Sequence, residues 1–275
     1  MNCTIDAYSD RGSTRAENED AVAQNPELGI AVLADGMGGH NAGDVASRKT
    51  VDALLASMEA YLDSRLEPPT LDEARDHLTA AIAEQNRAIF DEAASVPALE
   101  GMGCTLVVTW LLDAQALVAN VGDSRCYHLR DQTLTQVTRD HSFVQFQIDN
   151  GLISETEARS GGCKNYLLRS IGSSAKVSVD FFVVDLAVGD ILLAVSDGIT
   201  EAFDHPTLHA ALLEALRSNH PSRTLVEAAV KAGSRDNVSA QLIRVERSQG
   251  EVPQSSTNTK KRRSGFWHRV LGKRG

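Results

Sequence analysis

Acidic side chains recur where apolar runs end and tight turns begin. Asp35 follows the apolar residues 31–34, and Asp197 follows residues 192–196, so each carboxylate stands at the end of a run expected to be buried. A buried charge is costly unless it is compensated. Asp, Asn and Gly are also the usual turn residues, so each site taken alone is explained as a turn. The segments are Asn18-Glu19-Asp20, Asp35-Gly36, Gly122-Asp123-Ser124, Ser196-Asp197-Gly198 and Asp236-Asn237.

Carboxylates gathered at strand ends could compensate one another only through cations, because clustered negative charges otherwise repel and take up protons. Oxygen ligands without a His or Cys cluster select a hard ion, Mg²⁺ or Mn²⁺, usually with several waters retained. Paired ions of this kind lower the pKa of a water and offset charge on phosphoryl oxygens. The acids therefore predict a metal site suited to hydrolysis of a phosphoester.

Runs of β-branched residues, or of alternating apolar and polar residues, predict the strands that position these acids. Two of the runs are joined at Asp113-Ala114-Gln115, and Gly122-Asp123-Ser124 turns the chain into the next run. Consecutive hairpins predict antiparallel pairing. The predicted strands cover residues 30–34, 105–111, 116–121, 126–129, 177–184, 191–195 and 238–245.

Two pairs of helices interrupt the strands. They are predicted at about residues 42–62 and 71–94, and again at about 206–218 and 222–232, with prolines between the members of each pair. Proline blocks helix continuation. Paired helices between strand runs predict an α+β fold with helices packed outside antiparallel sheets. Residues 142–165 contain short helical pieces, one opened by a cap at Ser154, and predict a surface flap.

The charge is distributed unevenly along the chain. The 275 residues carry −10 overall, and residues 260–275 contribute seven basic side chains and no acid, so residues 1–259 carry −17. An acidic body argues against nucleic-acid binding. The four cysteines form no C-x-x-C pair, no secretory leader opens the sequence, and no apolar run is long enough to span a membrane. These features predict a reduced, cytoplasmic location.

Eight segments, taken together and in order, carry a resemblance that covers nearly all of residues 3–246. They resemble the motif series of the bacterial branch of the type 2C, or PPM, metal-dependent serine/threonine protein phosphatases. The segments are SDRGSTRAENEDAV, LADGMGGHNAGDVAS, GCTLVV, ANVGDSRCYHLR, TRDHS, LLRSIG, LLAVSDGIT and SRDNVSA.

The resemblance implies a four-layer α-β-β-α sandwich, in which two antiparallel sheets are flanked by antiparallel helix pairs. It implies an enzyme that hydrolyses phosphoserine and phosphothreonine in proteins with a metal-activated water, opposing a bacterial Ser/Thr kinase. Two other functions stay open: a metal-dependent hydrolase of small phosphoesters, and a non-catalytic binding module of the same fold.

The resemblance also assigns metal ligands, for two Mn²⁺ or Mg²⁺ ions and a third, weaker one. Asp35 resembles the ligand that bridges both ions, and Asp20 the acid that orients metal-bound water. Arg125 is expected to have a structural role, pairing with a ligand carboxylate. The remaining ligands are Glu19 and the Gly36 carbonyl at one ion, Asp197 and Asp236 at the other, and Asp123 at the third.

Two further residues match positions that act on the substrate. Arg15 is expected to hold the phosphate, a task that suits a bidentate guanidinium. Without the motif, it would be read as an exposed loop arginine. His40 matches the position proposed to protonate the leaving alcohol, for which a pKa near neutrality is useful. The alternative is a residue that packs at a helix N-terminus.

The chain is expected to divide into a catalytic domain at 1–247, with the flap at about 142–165, and a linker and basic amphipathic tail at 248–275. Phe266, Trp267, Val270 and Leu271 would form one apolar helical face surrounded by cations. This pattern fits docking on an anionic membrane surface or on a protein, and equally a solubilising end. We expect a monomer whose partners are phosphorylated proteins and a cognate kinase.

Overall fold

The structure of the protein is a computed structural model that describes residues 2–38, 42–160 and 166–246. Eleven strands and seven α-helices are formed within these residues. Their order is β1 (Asn2–Asp10), β2 (Asp20–Asn25), β3 (Ile30–Met37), α1 (Ala42–Asp63), α2 (Leu71–Ser95), β4 (Gly103–Cys104), β5 (Leu106–Leu112), β6 (Gln115–Val121), β7 (Arg125–Arg130), β8 (Thr133–Gln136), α3 (Phe143–Asp149), α4 (Glu155–Ser160), β9 (Asp180–Asp185), β10 (Ile191–Val195), α5 (Asp197–Ala202), α6 (His205–Ala215), α7 (Pro221–Lys231) and β11 (Val238–Glu246).

The strands form two sheets in which all neighbouring pairs are antiparallel. The first sheet has the order β1-β11-β10-β7-β8, and the second has the order β2-β3-β5-β6-β9, with the short β4 paired to the end of β3. Sequence neighbours such as β5 and β6 pair through the predicted hairpin. The central pairing of β10 with β11, by contrast, joins segments more than 40 residues apart.

Three apolar cores hold the layers together. Helices α1 and α2 cover the second sheet, where Leu54 and Leu78 belong to one core with Trp110. Helices α5, α6 and α7 cover the first sheet, where Leu212 belongs to a second core with Leu193. A third core lies between the sheets and contains Leu33, Val107, Leu192 and Ile243. Two sheets packed face to face with helices outside confirm the predicted four-layer α-β-β-α sandwich.

The helices begin and end close to the predicted positions because local signals define them. Thr70 accepts the N–H of Glu73 and the Glu73 carboxylate accepts the N–H of Thr70, a capping box that starts α2. Ser154 and Glu157 make the same reciprocal pair before α4, as predicted for the flap. Among the described residues, no helix combines the length and the apolar character needed to cross a membrane.

Four strands are absent from the predicted set: the two-residue β4 and the strands β1, β2 and β8. The strands β1, β2 and β8 contain few large apolar residues, and β8 buries only Leu134. These three are edge strands, so one side of each is unpaired and the hydrophobic signal is weak. The predicted strand at 177–184 also begins later, at Asp180.

Candidate active site

The centre of the site is a pair of aspartates on neighbouring strands. Asp20 begins β2 and lies directly opposite Asp35 on β3 in the antiparallel register. The Asp20 side chain is buried, and Asp35 keeps some exposed surface. This register brings two carboxylates together at the end of the second sheet, on the side that faces the first sheet's loops.

The first sheet contributes two further acids from adjacent strands. Asp197 is the first residue of α5, directly after β10, and Asp236 lies in the loop that leads into β11. Because β10 pairs with β11, with Val195 opposite Ala240, these two segments meet. The N–H of Ser196 donates to the carbonyl of Ser239 and closes the junction at 3.1 Å.

The charges of these acids act on one another. Burial raises the pKa of Asp35 well above its ordinary value, and the charges of Asp20, Asp197, Asp123 and Asp236 raise it further. Burial and then Asp123, Asp236 and Asp20 likewise raise the pKa of Asp197. Asp20, Asp35, Asp123, Asp197 and Asp236, here called the acid cluster, therefore lie close enough for their charges to act on one another, which the sequence alone could not establish.

Two of the acids have pKa values raised to about 6. For Asp20 the main cause is burial, opposed by hydrogen bonds from Ser239 and Ser196. For Asp123 the main cause is again burial, followed by the charge of Asp140 and opposed by Arg125. Both carboxyls gain protons near neutral pH unless a positive charge replaces the proton.

The donor set fits hard divalent cations. It consists of carboxylate and carbonyl oxygens, and Oδ1 of Asp20 is buried without a hydrogen-bond partner. In the part of the chain that the structure describes, no three His, Cys, Asp or Glu side chains are already spaced as ligands of one ion. Mg²⁺ usually keeps several waters in its shell, so water would complete the coordination of an ion held between these acids.

Glu19 and Gly36 are held against the start of α1. The N–H of Gly36 donates to the Glu19 carbonyl at 3.0 Å, and the Glu19 carboxylate accepts the N–H of Gly43. Glycine is required at 43, because a Cβ there would lie 2.8 Å from both Glu19 Cδ and the Gly36 carbonyl carbon. The Gly36 carbonyl and the Glu19 carboxylate, which the resemblance assigns to one ion, are thus neighbours.

Asn237 joins the loop that carries Glu19 to the loop that carries Asp236. Its Oδ1 accepts the N–H of Glu19 at 2.9 Å, and its Nδ2 donates to the carbonyls of Arg11 and Glu17, both at 2.9 Å. One amide side chain therefore fixes two segments that are more than 200 residues apart in the sequence. Sequence reasoning did not assign this role to Asn237, although it stands next to Asp236 in the SRDNVSA segment.

Arg15 forms an ion pair with Asp236. Its Nη2 lies 2.6 Å from Oδ2 of Asp236, and 48% of the Arg15 side chain is exposed. Asp197 and Glu19 also contribute to the negative field around the guanidinium. The predicted phosphate-binding residue thus lies at the mouth of the acid cluster. His40 lies outside the described residues.

The turn that carries Asp123 is attached to Asp35 through Thr105. The Thr105 hydroxyl accepts the N–H of Asp35 at 2.9 Å and lies 2.7 Å from the Ser124 hydroxyl. Arg125 forms a bidentate pair with Asp140. The expectation that Arg125 pairs with a predicted metal ligand is therefore wrong: Asp140, four residues beyond β8, reaches the guanidinium because β7 and β8 pair.

Two serines missed in the sequence hold the carboxylate of Asp20. Oγ of Ser196 lies 2.8 Å and Oγ of Ser239 lies 2.7 Å from Asp20 Oδ2. In the sequence, Ser196 belongs to the predicted turn Ser196-Asp197-Gly198 and Ser239 to the strand predicted at 238–245. Both side chains are buried, and only Ser239, a serine within an otherwise largely apolar strand, carries a signal that the sequence could have shown.

Comparison with known proteins identifies the family. The family model described as Protein phosphatase 2C matches residues 11–242. That match covers the acid cluster, the Arg15 segment and all strands except β1 and the end of β11. The chain belongs to the protein phosphatase 2C family.

Bacterial serine/threonine phosphatases are among its relatives. The chain is 38% identical over 238 residues to the serine/threonine phosphatase stp of Listeria welshimeri, covering 86% of this chain and 93% of the relative. It is similar to the crystal structure of the Mycobacterium tuberculosis serine/threonine phosphatase PstP/Ppp, with a TM-score of 0.79, 35% identity and coverage of 90% and 100%. A structure of the PstP catalytic domain in complex with two manganese ions gives a TM-score of 0.74 at 34% identity, with coverage of 89% and 99%.

Proposed function

We propose that this protein hydrolyses phosphoserine and phosphothreonine in protein substrates with two Mn²⁺ or Mg²⁺ ions held in the acid cluster. The observation that carries the proposal is the acid cluster, in which Asp20 lies opposite Asp35 and the charges of Asp20, Asp35, Asp123, Asp197 and Asp236 act on one another. Membership of the protein phosphatase 2C family and the two manganese ions of the related PstP structure support it.

In this proposal each acid has a defined place. Asp35, Glu19 and the Gly36 carbonyl would hold one ion, and Asp35, Asp197 and Asp236 would hold the other. Asp123 would hold a third, weaker ion. When bound, the ions activate water and offset negative charge on the phosphoryl group. The pKa values of Asp35 and Asp197 are raised because their negative charges are buried among other acids, and bound cations would compensate those charges.

The protein's own side chains bind the substrate and handle its protons. Arg15 holds the phosphate, and it can do so once cations take over the carboxylate of Asp236, its present partner. Asp20 has one oxygen fixed by two serines and one without a partner, so Oδ1 can orient water in the acid cluster. We keep His40 as the donor to the leaving alcohol, a role that rests on its sequence match.

The test is turnover of para-nitrophenyl phosphate and of phosphothreonine peptides with Mn²⁺. We expect Asp35→Asn and Asp197→Asn to lose activity by about 10³-fold, because each removes a charge that binds a cation worth several kcal/mol in the transition state. Asp72→Asn, an exposed aspartate on α2, is the matched control and should keep wild-type activity. Wild-type rates in the two acid-cluster variants would refute the proposal and favour a non-catalytic module.

Substrate class is tested separately. Under one metal condition, kcat/KM should be higher for phosphopeptides than for small phosphorylated metabolites. The opposite preference would favour the small-phosphoester hydrolase, which shares the metal site and differs in the groove beside it. Comparison of phosphoproteomes with and without this protein would then identify the substrates and the opposing kinase.

The remaining organisation is also proposed. Residues 1–247 form the catalytic domain of a cytoplasmic monomer, and residues 248–275 form a basic appendage that docks on an anionic membrane surface or an acidic protein. The opposite charges of the two parts support this division. Replacing the seven basic residues of the tail by Gln in the full chain should abolish sedimentation with anionic vesicles and leave turnover unchanged if the membrane is the partner. Unchanged sedimentation would exclude the membrane.

A further inference from the structure

A second polar cluster lies beside the turn that carries Asp123, and none of the roles above uses it. It consists of His141, Asp180 on β9, and Arg169. The imidazole of His141 is buried, with 6% of the side chain exposed, whereas Asp180 and Arg169 are each 40% exposed. A buried histidine with polar partners on both ring nitrogens is a specific arrangement, because each unsatisfied nitrogen would be costly.

His141 holds the backbone of Gly122 from two sides. The N–H of Gly122 donates to Nδ1 of the imidazole at 3.1 Å, and the N–H of His141 donates to the Gly122 carbonyl at 2.9 Å. Gly122 has a φ of +106°, a backbone conformation that favours glycine, and is followed directly by Asp123. The amide and the carbonyl of Gly122 are thus both hydrogen-bonded to His141. The direction of the Asp123 side chain depends on this turn.

The tautomer of His141 follows from these contacts. Because Nδ1 accepts a hydrogen bond from an amide, the proton of the neutral ring lies on Nε2. Nε2 then donates to Oδ2 of Asp180 at 3.1 Å, and Arg169 Nη1 lies 2.7 Å from Oδ1 of the same carboxylate. Arg169 Nη1 is also 3.2 Å from Nε2, but it donates to Asp180, because a protonated Nε2 cannot accept a hydrogen bond. Burial lowers the pKa of His141, which favours this neutral form. Asp180 and Arg169 thus orient the ring so that Nδ1 faces Gly122.

His141 also lies where the two ends of the flap meet. Its carbonyl accepts the N–H of Leu168 at 2.8 Å, and the next residue, Ser142, forms an isolated bridge with Leu167. The chain enters the flap at residue 142 and has returned from it at 167. One residue therefore contacts both the flap base and the Asp123 turn.

We propose that His141 is a positioning residue, which sets the Asp123 carboxylate for its cation by holding Gly122 through Nδ1. The proposal rests on the proposed function in one respect, the role of Asp123 as a cation ligand. Asp180 and Arg169 act one step further away, by fixing the ring. Residues that orient a ligand in this way typically change metal affinity or activity 10- to 100-fold when they are replaced.

Two near-isosteric variants separate the two ring nitrogens. In His141→Asn the side-chain oxygen can take the place of Nδ1 and accept the N–H of Gly122, while the contact with Asp180 is lost. In His141→Gln the amide reaches the place of Nε2 and the contact with Gly122 is lost. If the fold needs only a polar residue at 141, the two variants should be equivalent. If Nδ1 positions Asp123, they should differ.

The experiment measures Mn²⁺ binding by the full chain in two ways. One is the Mn²⁺ concentration that half-saturates para-nitrophenyl phosphate turnover, and the other is direct binding by titration calorimetry. We expect His141→Gln to raise the half-saturating concentration about tenfold or more and to weaken the weakest calorimetric site. His141→Asn should remain close to wild type. Adding His141→Gln to Asp123→Asn should have little further effect, because both act on one ligand.

His128→Gln is the matched control. His128 is likewise a histidine paired with an aspartate, with 15% of its side chain exposed and Nε2 3.0 Å from Asp190 Oδ2, but it lies on β7 opposite Leu192, away from the acid cluster. It should alter thermal stability without altering the Mn²⁺ dependence. Thermal melting of all variants, without metal, reports folding separately.

Equal Mn²⁺ dependence in His141→Gln and wild type would overturn the proposal, as would additive effects of His141→Gln and Asp123→Asn. Loss of Mn²⁺ affinity to the same degree in the Asn and Gln variants would also overturn it, since it would show a general structural role. Failure of the proposed function looks different: the wild type would not turn over phosphoesters, and the calorimetric comparison of the same variants would still decide whether His141 acts on a cation site.

Discussion

Nη2 of Arg15 lies 2.6 Å from Oδ2 of Asp236, so the proposed phosphate-binding group is paired with a proposed metal ligand. The two must separate before either acts as proposed. If Asp236 holds a cation as proposed, the guanidinium of Arg15 would no longer be needed to balance its charge and would be available to the substrate. The proposed roles therefore predict that cation binding and phosphate binding are coupled through this pair.

Replacement of Arg15 should therefore affect substrate binding more than folding. We expect Arg15→Ala to lower kcat/KM for a phosphothreonine peptide about 10- to 100-fold, mainly through KM, since a hydrogen bond to a charged group contributes about 1.5–3 kcal/mol. Arg15→Lys should recover only part of the loss because it cannot bind in a bidentate manner. Steady-state kinetics at saturating Mn²⁺ measures both effects.

Arg223→Ala is the control for this prediction, since Arg223 pairs with Glu227 on the exposed face of α7. It should leave KM unchanged. A normal KM in Arg15→Ala would show that the phosphate is held elsewhere.

The acid cluster should make the metal-free protein less stable as the pH rises. Burial raises the pKa of Asp123 to about 6, above the value of an unfolded aspartate, so the folded state holds a proton that the unfolded state has lost. The resulting stabilisation is complete below about pH 4 and is lost as the pH rises through about 6. Asp123→Asn should therefore gain stability relative to wild type between pH 4 and pH 7, by about 1–3 kcal/mol.

Calorimetric melting in EDTA across this range tests the prediction. Asp149→Asn provides a control of opposite sign, because the Arg139 guanidinium lowers the pKa of Asp149. That variant should be less stable than wild type throughout this range, because a lowered pKa contributes stability above the unfolded value and loses it only below about pH 4. If the stability of Asp123→Asn changed with pH in the same way as that of wild type, the Asp123 carboxyl would have the pKa of a solvated aspartate, and the prediction would be wrong.

Removal of the serine that fixes Asp20 should destabilise the fold. Ser239→Ala deletes one of the two hydroxyls that contact Asp20 Oδ2 and leaves a buried carboxylate less satisfied. We expect a loss of about 1–3 kcal/mol in urea denaturation. Thr79→Ala, at an exposed position of α2 where the hydroxyl contacts only the Arg75 carbonyl, should change stability by less. If the two variants lost the same amount of stability, the contact of Ser239 with Asp20 would contribute no more than an exposed hydrogen bond.

Gly43→Ala should have the opposite effect to that expected from helix propensity. In a helix, alanine is favoured over glycine by about 1 kcal/mol. At position 43, however, a Cβ would lie 2.8 Å from Glu19 Cδ and from the Gly36 carbonyl carbon. We expect the variant to be less stable and to require a higher Mn²⁺ concentration for half-maximal activity. Increased stability with unchanged Mn²⁺ dependence would refute the proposed contact of Gly43 with the metal ligands.

The sequence predicted the helices and the central strands well because their signals are local. Proline positions and the Thr70 cap define where α2 begins, and the apolar run at residues 191–195 coincides with β10. The edge strand β8 was not predicted, because a strand with one buried side chain has no hydrophobic pattern in its sequence. The partner of Arg125 was also wrong, since its choice of Asp140 depends on the pairing of β7 with β8.

The candidate site divides in the same way. The sequence by itself placed Asp35 and Asp197 at the ends of buried strands, and motif order assigned them to metals. Only the tertiary structure brought Asp20 opposite Asp35, joined the Glu19 and Asp236 loops through Asn237, and placed His141 against Gly122. These contacts join residues far apart in the chain, and they are fixed by sheet register and by packing between layers, which no local pattern encodes.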